Sequence, residues 1–391
     1  IEADYEGPRT HLGQSNLWVH EQNTARGPTK RITMGGSMMM NKKISRRRLL
    51  KTGSAVTAVG ITMPWVITPS RAAKADHVLT FGHTFGKATE SVMITGLDQF
   101  KKKAEEYAGG KLKVDIHEAG SLGGQTVLPN KVLTGAIQGC QLSTQNFTPF
   151  SDVFNLLDFP YMFPSNEKFE SVLGSDAFAN SDFMKQPTTK GFRVLPGMWA
   201  NAGFRVLGIS KKANKVIKTP DDLKGIKIRV TGSKVEQQAF KLTPANPVSI
   251  AWGETYQALQ QGAADALNVG LGPLTATKIY ETLGSATMSE INFNCHITVL
   301  SKRWFDKLPS GVQDAVLKGA AESFEFQKSG QARANKKMVE HWKSKGIKVH
   351  VLTPDEKKLW VERIGHTLPV WDSFKKKYGA TLYEQLAKMA S

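Results

Sequence analysis

The amino-acid sequence predicts an α/β protein built from two α/β units, and three observations support this. The chain has 391 residues, which is enough for two domains of ordinary size. Residues 76–160 alternate strand-like and helix-like patterns in the order β-α-β-α-β, and a similar alternation recurs over roughly 200–295. Because strands joined through helices lie parallel, each unit should be a parallel sheet with helices on its faces.

The first unit contains three predicted strands and two predicted helices. Apolar residues alternate with polar ones in "KLKVDIHEAG" (111–120), which is typical of a strand. "ESVMITGLDQFKKKAEEYA" (90–108) and "GQTVLPNKVLTGAI" (124–137) have helical apolar spacing. Pro129 should begin or kink the second helix, because proline has no backbone N–H to donate. The other two strands are predicted at 77–84 and 139–144.

The second unit and the segments that follow it are predicted by the same rules. Strands are expected where apolar and β-branched residues cluster or alternate, and these are 192–199, 204–210, 225–230, 246–250, 267–270 and 297–305. Helices are expected at 233–243 and 254–266. Beyond Pro309, residues 310–346 contain no proline and keep helical spacing, which predicts one long helix. Residues 354–379 predict amphipathic helices.

A cleft between the two units is the expected place for a binding site. In open parallel sheets, ligands bind outside the carboxyl ends of the strands. Two such domains in one chain would enclose a cleft between them, and interdomain clefts are preferred sites for small molecules.

The net charge of +18 suggests a nucleic-acid binder at first sight, but its distribution weakens that interpretation. Residues 1–75 hold 12 Lys/Arg and 4 Asp/Glu, so nearly half of the excess lies in the first fifth of the chain. The lysine runs in "FKKKAEE" (100–106) and "FKKKYG" (374–379) predict solvated helix faces. No basic run is interleaved with aromatic residues, so we expect no nucleic-acid partner.

Motifs for catalysis, nucleotides and metals are missing from the sequence. It has no Walker A loop, GxGxxG, HExxH, EF-hand loop or GxSxG. Cys140 and Cys295 form no cluster of zinc-site spacing, and they are either two buried thiols or one disulfide. We therefore expect no cofactor, no metal and no catalytic residue.

Three further features of the sequence have alternative interpretations. His83, near a strand end, and His296, beside Cys295, are the histidines of interest, although a lone histidine is usually a surface or satisfied core residue. "SLGGQT" (121–126) either cradles an anion with backbone N–H groups or, more simply, shapes a tight β-α turn.

Residues 40–75 have the three-part plan of an export signal. A basic start is followed by an uncharged stretch from Thr52 to Ser70 and then by small residues. The uncharged stretch is interrupted by glycine and proline and is too weakly hydrophobic for a membrane span, so we expect no membrane insertion of the mature chain. Ala73-Lys74-Ala75 fits the small-x-small cleavage rule, which predicts a mature chain from Asp76 in the periplasm.

The basic start of this signal indicates its export route. The segment 45–51, "SRRRLLK", resembles the twin-arginine consensus, with Leu49 where phenylalanine is usual. The alternative is an ordinary secretion signal that carries three arginines. Met40 would be a natural start for this signal, so residues 1–39 are interpreted as an unstructured upstream extension without an assigned function.

Arg229 is the residue that most directly suggests a ligand. It lies in "DLKGIKIRVTG" (222–232), where Ile226, Ile228 and Val230 alternate with polar residues, as in a half-buried strand. From this stretch alone, Arg229 is either part of a solvated strand face or a receptor for a carboxylate. The planar guanidinium fork matches the two oxygens of a carboxylate.

Four stretches, taken in order, resemble the solute-binding proteins of tripartite ATP-independent periplasmic (TRAP) transporters, the DctP-type family. They are "GSLGGQTVLPNKVLTGAIQG" (120–139), "NLLDFPYMF" (155–163), "NAGFRVLGISK" (201–211) and the long stretch from Asp222 to Asn268. Together with "SKRWFDKLP" and the long helix after it, the resemblance covers nearly all of 77–350.

The resemblance implies a two-domain periplasmic binding protein fold of type II-like architecture, with linking strands and a long helix that spans both domains. Such domains close on an organic acid in the cleft and deliver it to membrane permease subunits driven by an ion gradient. On this basis domain I is expected at 76–200 plus 296–330, and domain II at 201–295 plus 331–391 with the C-terminal helices.

Several binding residues are implied by the same resemblance. Arg229 matches the arginine that holds the substrate carboxylate, and Arg205 matches a second arginine that either contacts the ligand or supports Arg229. Trp252 matches a residue that packs on the ligand, or else belongs to the interdomain core. Further candidates are Asn146 and Thr84 on the first domain, Trp199 as a wall, and Glu254, which is interpreted mostly as a helix cap.

One departure from the family pattern concerns substrate identity. Many relatives carry an acid after the second helix of this region, whereas "DALN" keeps Asp265 and places Asn268 there. An amide both donates and accepts hydrogen bonds, so Asn268 is a further candidate contact. The function expected is capture of an organic acid for a TRAP permease. The alternative is an exported enzyme that acts on a small carboxylate with the same fold.

Overall fold

The computed structural model of the chain describes residues 75–87, 91–195 and 200–391. The strands are β1 His77–Gly82, β2 Leu112–His117, β3 Gly139–Ser143, β4 Phe192–Val194, β5 Ala200–Ser210, β6 Lys227–Val230, β7 Asn246–Ser249, β8 Ala266–Gly270, β9 Leu283–Met288, β10 Phe293–Ser301 and β11 Lys348–Val351.

The α-helices are α1 Val92–Tyr107, α2 Leu128–Thr134, α3 Thr144–Phe147, α4 Asn166–Leu173, α5 Asp176–Ala179, α6 Asp182–Thr189, α7 Lys234–Lys241, α8 Thr255–Gln261, α9 Leu271–Ala276, α10 Lys302–Phe305, α11 Ser310–Ser344, α12 Pro354–Ile364, α13 Asp372–Tyr378 and α14 Ala380–Ala390. Short 3-10 helices lie at Asp152–Asp158, Pro220–Leu223, Trp252–Glu254, Ile279–Thr282 and Pro369–Trp371.

The sheet joins two parallel halves through two central strands. Its main path has the order β2-β1-β3-β10-β5-β8-β6-β7, with β4 paired to β10 and the β9–β11 pair joined to β5. Strand β1 runs parallel to β2 and β3, and β6 runs parallel to β7 and β8, as the β-α-β patterns predicted. Strands β5 and β10 run antiparallel to each other and to their neighbours. They therefore link the two halves.

Most predicted elements are present with shifted ends. Pro129 lies in the first turn of α2, so it begins the helix and does not kink it. The strand predicted at 297–305 ends at Ser301, because Lys302 starts α10 and donates its backbone N–H to Gly191. The β9–β11 pair was not anticipated. Strand β11 is a short edge strand whose end residues, Lys348 and Val351, are exposed. It therefore lacks the alternation of buried and exposed residues that predicts a strand.

Helix α11 spans both halves of the sheet, as predicted. Its 35 residues extend about 52 Å at 1.5 Å per residue. In its first half it crosses α1 so closely that a Cβ on Gly319 would lie 2.8 Å from the backbone nitrogen of Ala104. In its second half the Trp342 indole donates to Oγ1 of Thr275 in α9 at 3.1 Å.

The last helices pack on the first half of the sheet, although the sequence assigned 331–391 to domain II. Trp371 contacts Phe159 edge to face, with ring centroids 5.3 Å apart. Leu382 and Leu386 of α14 join the same buried cluster as Phe169 of α4. Helix α12 stays with the second half through buried Trp360 and Ile364. The terminal aromatic and leucine residues thus complete the buried core of the first half of the sheet.

Cys140 and Cys295 are free and buried thiols. They lie on the neighbouring strands β3 and β10, but Cys140 is opposite Val299 in the register. Cys295 lies four residues before Val299 on β10, which is about 13 Å along the strand. Burial raises the pKa of both thiols, so they are unreactive core residues.

Candidate functional site

An inner cavity lies where the carboxyl ends of parallel strands from both halves of the sheet meet. Ser143 ends β3, Phe85 follows β1, and Arg229 and Thr231 lie at the end of β6. The free space is about 20 Å³, roughly that of one water molecule. The lining residues are Phe85, Gln125, Ser143, Asn146, Arg205, Arg229, Thr231, Trp252, Val269, Pro273, Asn294 and His296.

Arg229 presents its guanidinium to this cavity from a strand that is buried on both faces. Ile228, Arg229 and Val230 are all at most 2 % exposed, so the alternative of a solvated strand face is wrong. Its Nε donates to the Ile250 carbonyl at 3.0 Å, and among the described residues the Arg229 side chain makes no other hydrogen bond. The guanidinium carbon lies 5.6 Å from the centre of the Trp252 ring. Burial lowers the Arg229 pKa to about 10, which leaves the group charged at neutral pH.

Arg205 also lines the cavity, but its charge is already matched. Its terminal nitrogen donates to Glu236 Oε1 at 2.8 Å and to the Asn268 carbonyl at 2.7 Å, and both ionic side chains are 1 % exposed. Glu236 Oε2 accepts from the Thr231 backbone N–H at 2.7 Å and from the Thr231 hydroxyl. Arg205 therefore supports the Arg229 strand, while Arg229 faces the cavity without a carboxylate partner among the described residues.

Three further buried groups, of which His296 is in the cavity lining, have shifted pKa values. Burial together with the nearby Arg205 lowers the pKa of His296 to about 3. Burial lowers the pKa of His83 to about 4, so both imidazoles are neutral at physiological pH. Asp158 accepts from Gln145, and burial raises its pKa to about 7 against the opposing pull of Arg205.

Gln125 organises the wall contributed by the first half of the sheet. Its Oε1 accepts from the Ser143 backbone N–H at 2.9 Å and from Asn146 Nδ2 at 2.9 Å. Its Nε2 donates to Thr84 Oγ1 at 3.0 Å. Gln125 is 5 % exposed, so these bonds hold Asn146 and Thr84 in place. Gln125 lies two residues after Gly123, whose φ of +121° supports the tight-turn interpretation of "SLGGQT".

An outer pocket of about 370 Å³ adjoins the inner cavity and shares Gln125, Asn146 and Trp252 with it. The remaining lining residues are Thr84, Ala119, Gly120, Gly124, Thr126, Ala251, Gly253, Tyr256, Thr277 and Ile279. The shared residues make the outer pocket the approach to the cavity.

The structure brings five of the eight implied site residues together. Arg229, Arg205, Trp252 and Asn146 line the inner cavity, and Thr84 lines the outer pocket.

Of the other three implied site residues, two lie outside both linings and one lies outside the described residues. The Asn268 side chain lies outside both linings, because Nδ2 donates to Asn292 Oδ1 at 3.2 Å and the residue is 1 % exposed. Glu254 is exposed at the start of α8, outside both linings, and its side chain makes no cap hydrogen bond. Trp199 lies outside the described residues.

Sequence reasoning missed Gln125 and Glu236 as site residues. Glu236 stands three positions after Ser233, the spacing of a capping box, and the Ser233 hydroxyl does accept from the Glu236 N–H at 3.3 Å. The Glu236 carboxylate instead joins Thr231 to Arg205. The capping-box spacing was the one signal in the sequence that could have singled out Glu236, because Arg205, with which it pairs, is 31 residues away.

Fold and site together define a binding protein for a small anion. Two halves of an α/β sheet, linked by β5, β10 and α11, surround a cavity lined by an unmatched guanidinium, Arg229, and one neutral histidine, His296. Within the described ranges, no group of three or more His, Cys, Asp or Glu side chains is placed to hold a metal ion. No helix of those ranges has the length and apolar character needed to cross a bilayer.

The chain belongs to the family of bacterial extracellular solute-binding proteins, family 7, which matches residues 81–377. It is 27 % identical over 338 residues to the C4-dicarboxylate-binding periplasmic protein DctP of Rhodobacter capsulatus, covering 85 % of this chain and 96 % of that protein. It is 28 % identical over 297 residues to the 2,3-diketo-L-gulonate-binding periplasmic protein YiaO of Escherichia coli, covering 76 % and 87 %.

Two solved structures share the fold. The TRAP periplasmic solute-binding protein of Sulfurospirillum deleyianum, with bound succinate, has a TM-score of 0.72 at 25 % identity, covering 80 % of this chain and 98 % of that chain. The sugar acid binding protein of Advenella mimigardefordensis, in complex with galactonate, has a TM-score of 0.73 at 26 % identity, covering 80 % and 97 %. The family is one of transporter binding proteins, so the chain is a TRAP-type solute-binding protein and not an enzyme.

Proposed function

We propose that this chain captures an organic acid in the cleft through Arg229 and delivers it to the membrane subunits of a TRAP permease from the periplasm. The observation that carries this proposal is the buried Arg229 guanidinium, which faces the cavity with one nitrogen donating to the protein. Relatives are named for binding C4-dicarboxylate and 2,3-diketo-L-gulonate, and solved relatives hold succinate and galactonate.

The chemistry of Arg229 suits a carboxylate for two reasons. A guanidinium offers parallel N–H groups that match the two carboxylate oxygens, and hydrogen bonds to charged groups contribute about 1.5–3 kcal/mol. Nε is committed to Ile250, so the plane of the fork is fixed before the ligand arrives. Trp252 covers one face of the guanidinium and excludes water from it.

Binding requires the two halves of the sheet to separate. The inner cavity has space for roughly one water molecule, whereas a carboxylate group alone has three heavy atoms. The residues around it come from both halves, so the ligand enters when the cleft opens and is enclosed when it closes. The domain division expected from the sequence, at 200–201, 295–296 and 330–331, would correspond to hinges in β5, in β10 and within α11.

The proposed export step rests on the leader sequence. Residues 40–75 would form a twin-arginine-like signal peptide that is removed before Asp76. The first strand, β1, begins at His77, which leaves the fold intact after cleavage. Mass spectrometry of the periplasmic protein should show an N-terminus at Asp76, and blocking twin-arginine export should abolish its appearance there. Detection of an uncleaved N-terminus in the periplasm would contradict the assignment.

The carboxylate assignment is tested with two variants of one residue. Arg229→Ala removes the receptor, and Arg229→Lys keeps the charge but loses the planar fork. We expect Arg229→Ala to weaken organic-acid binding by about 2–5 kcal/mol, measured by titration calorimetry, since a desolvated partner is lost. Arg229→Lys should recover part of that loss, because a point charge matches the carboxylate less well than a fork.

Arg363→Ala is the matched control, because this arginine is 42 % exposed and pairs with Asp221 on the surface. It should bind the same acids as the native protein. Near-native affinity in Arg229→Ala, with an intact fold by circular dichroism, would refute Arg229 as the carboxylate receptor.

A further inference from the structure

The lining of the outer pocket contains hydroxyl and amide groups but no charged side chain. Among the described residues that form it, none is Asp, Glu, Lys, Arg or His, whereas Thr84, Thr126, Thr277, Asn146 and Tyr256 bring polar side chains. The acidic and basic residues next to the lining in sequence, Glu118, Glu254 and Lys278, lie outside it, and Glu254 and Lys278 are exposed. Full positive charge is therefore confined to the inner cavity.

The inner cavity has one unmatched positive charge. Arg205 is paired with Glu236, and the neutral His296 adds none. Arg229 alone lacks a carboxylate partner in the described part of the chain. One such guanidinium neutralises one carboxylate, and a second carboxylate on the same ligand would lie in the uncharged outer pocket. Burying an unpaired charge there costs far more than burying a hydroxyl that finds hydrogen bonds.

A backbone group fixes the orientation of the side-chain amides of Gln125 and Asn146, two residues that line both the inner cavity and the outer pocket. The Ser143 N–H can only donate, so the Gln125 atom that it meets at 2.9 Å is the carbonyl oxygen. That oxygen also meets the Asn146 amide at 2.9 Å, so the Asn146 group pointing to it is the NH₂. The Asn146 carbonyl oxygen consequently stands on the other side of the amide as an acceptor.

The same chain of bonds fixes Thr84. The remaining Gln125 amide atom is the NH₂ group, which donates to Thr84 Oγ1 at 3.0 Å. The Thr84 hydroxyl proton is therefore free to donate elsewhere. Asn146 offers a hydrogen-bond acceptor and Thr84 offers a donor. A ligand hydroxyl can donate to the Asn146 oxygen and accept from the Thr84 hydroxyl. A carboxylate has only acceptor oxygens and would face the Asn146 oxygen unfavourably.

We propose that the ligand is a monocarboxylate whose remaining carbons carry uncharged hydroxyl groups, with the carboxylate on Arg229 and the hydroxylated part in the outer pocket. This rests on the proposed function of the same site and adds the substrate class. The outer pocket of about 370 Å³ is within the size range of small-ligand sites. Dicarboxylates such as succinate are disfavoured because the second charge has no partner in the lining.

The test compares two acids that differ at one end. Galactonate is a six-carbon hydroxylated monocarboxylate, and galactarate replaces its terminal CH₂OH with a second carboxylate. Titration calorimetry on the mature protein should show galactonate binding at least about tenfold more tightly than galactarate, because an unpaired charge is rejected. Erythronate and tartrate form the corresponding four-carbon pair, and succinate tests a dicarboxylate without hydroxyl groups.

A positive charge introduced into the outer pocket should weaken this preference. Thr126 is exposed in the lining, and Thr126→Lys would place an ammonium where the second carboxylate lies. We expect the galactarate-to-galactonate affinity ratio to rise about fivefold in Thr126→Lys relative to Thr126→Gln, which changes the size of the side chain without adding charge.

The outcomes separate the two proposals. Equal or tighter binding of galactarate, tartrate or succinate, lost in Arg229→Ala, overturns the hydroxylated-monocarboxylate inference and leaves the proposed function standing. The inference is also overturned if both hydroxylated monocarboxylates fail to bind while a dicarboxylate binds. Absence of Arg229-dependent binding for every organic acid tested overturns the proposed function and the inference with it.

Discussion

Arg205 and Glu236 form the most completely buried ion pair in the described part of the chain. Both side chains are 1 % exposed, and the carboxylate also holds the Thr231 backbone N–H at the end of the Arg229 strand. Removing one partner of such a pair leaves an uncompensated charge in a low-dielectric environment. The pair therefore contributes to the position of Arg229 as well as to the stability of the fold.

Glu236→Gln should lower the free energy of unfolding by about 3–5 kcal/mol, because it leaves the Arg205 charge unpaired inside the protein. Urea denaturation followed by circular dichroism measures this change. Asp221→Asn is the matched control, since it breaks the exposed Arg363–Asp221 pair, whose nitrogen and oxygen are 3.1 Å apart. Its effect should be below about 1 kcal/mol. Similar losses in both variants would contradict the argument from burial.

Asp158 predicts a pH dependence of stability. Burial raises its pKa from an ordinary value of 3.8 to about 7 in the folded state, while Arg205 opposes the shift and Glu236 adds to it. Between these values the folded protein binds the proton that the unfolded chain has released. The contribution of Asp158 to stability therefore falls as the pH rises from about 4 to about 7, with a slope of up to about 1.4 kcal/mol per pH unit, and is constant above that.

Asp158→Asn should remove this component. Its free energy of unfolding should therefore rise relative to that of the native protein as the pH rises from about 4.5 to about 7.5. Urea midpoints across that range measure the difference. Asp152→Asn, at the exposed start of the same 3-10 helix, is the control and should run parallel to the native protein. A native and an Asp158→Asn profile that stay parallel would show that Asp158 titrates normally.

At the scale of elements, the crossing of α1 and α11 depends on the absence of a side chain at Gly319. An added Cβ would lie 2.8 Å from the backbone nitrogen and 3.1 Å from the Cα of Ala104. Backbone atoms inside a helix cannot move aside as a flexible side chain can, so the two helices would have to separate. The crossing holds α11 against the first half of the sheet.

Gly319→Ala should destabilise the protein by about 1–3 kcal/mol, because overpacking at this contact exceeds the gain in helix propensity of up to about 1 kcal/mol. Gly311→Ala, on the same helix with no atom within 4 Å of the added Cβ, should be neutral or slightly stabilising. Thermal unfolding of both variants measures the difference. A stabilised Gly319→Ala protein would mean that the helices separate at no cost.

At the scale of the whole molecule, the shared strands should make unfolding cooperative. Strands β5 and β10 pair with each other and with both halves of the sheet, and α11 contacts both. Neither half can lose these elements without exposing the core of the other. A ligand bound between the halves should therefore stabilise both.

Scanning calorimetry on residues 76–391 should show one unfolding transition, which a bound acid moves as a whole to higher temperature. At a ligand concentration of about 100 times Kd, the added stability is about 2.7 kcal/mol. In Arg229→Ala the transition should remain single but lose its response to the acid. Two separate transitions, with one of them responding to ligand, would indicate that the halves unfold independently.

Local periodicity let the sequence predict most elements of the fold. Alternation and helical spacing identified β1 to β3, β6 to β8 and the long helix α11, because those patterns depend on neighbours in the chain. The stretch around Arg229 left open a solvated strand face or a carboxylate receptor, and only the resemblance to the DctP-type family favoured the receptor. Edge strand β11 and the return of α13 and α14 to the first half depended on partners far away in sequence.

The sequence by itself determined the family and the parallel halves, and it singled out Arg229, which lines the inner cavity. Tertiary structure alone decided which polar groups line or support the cavity and how they are oriented. Gln125 reaches Ser143 and Thr84, Glu236 reaches Arg205, and Asn268 turns its amide to Asn292 and away from the cavity. These contacts join residues 18 to 41 positions apart, so they depend on strand register and helix packing, which local sequence patterns do not encode.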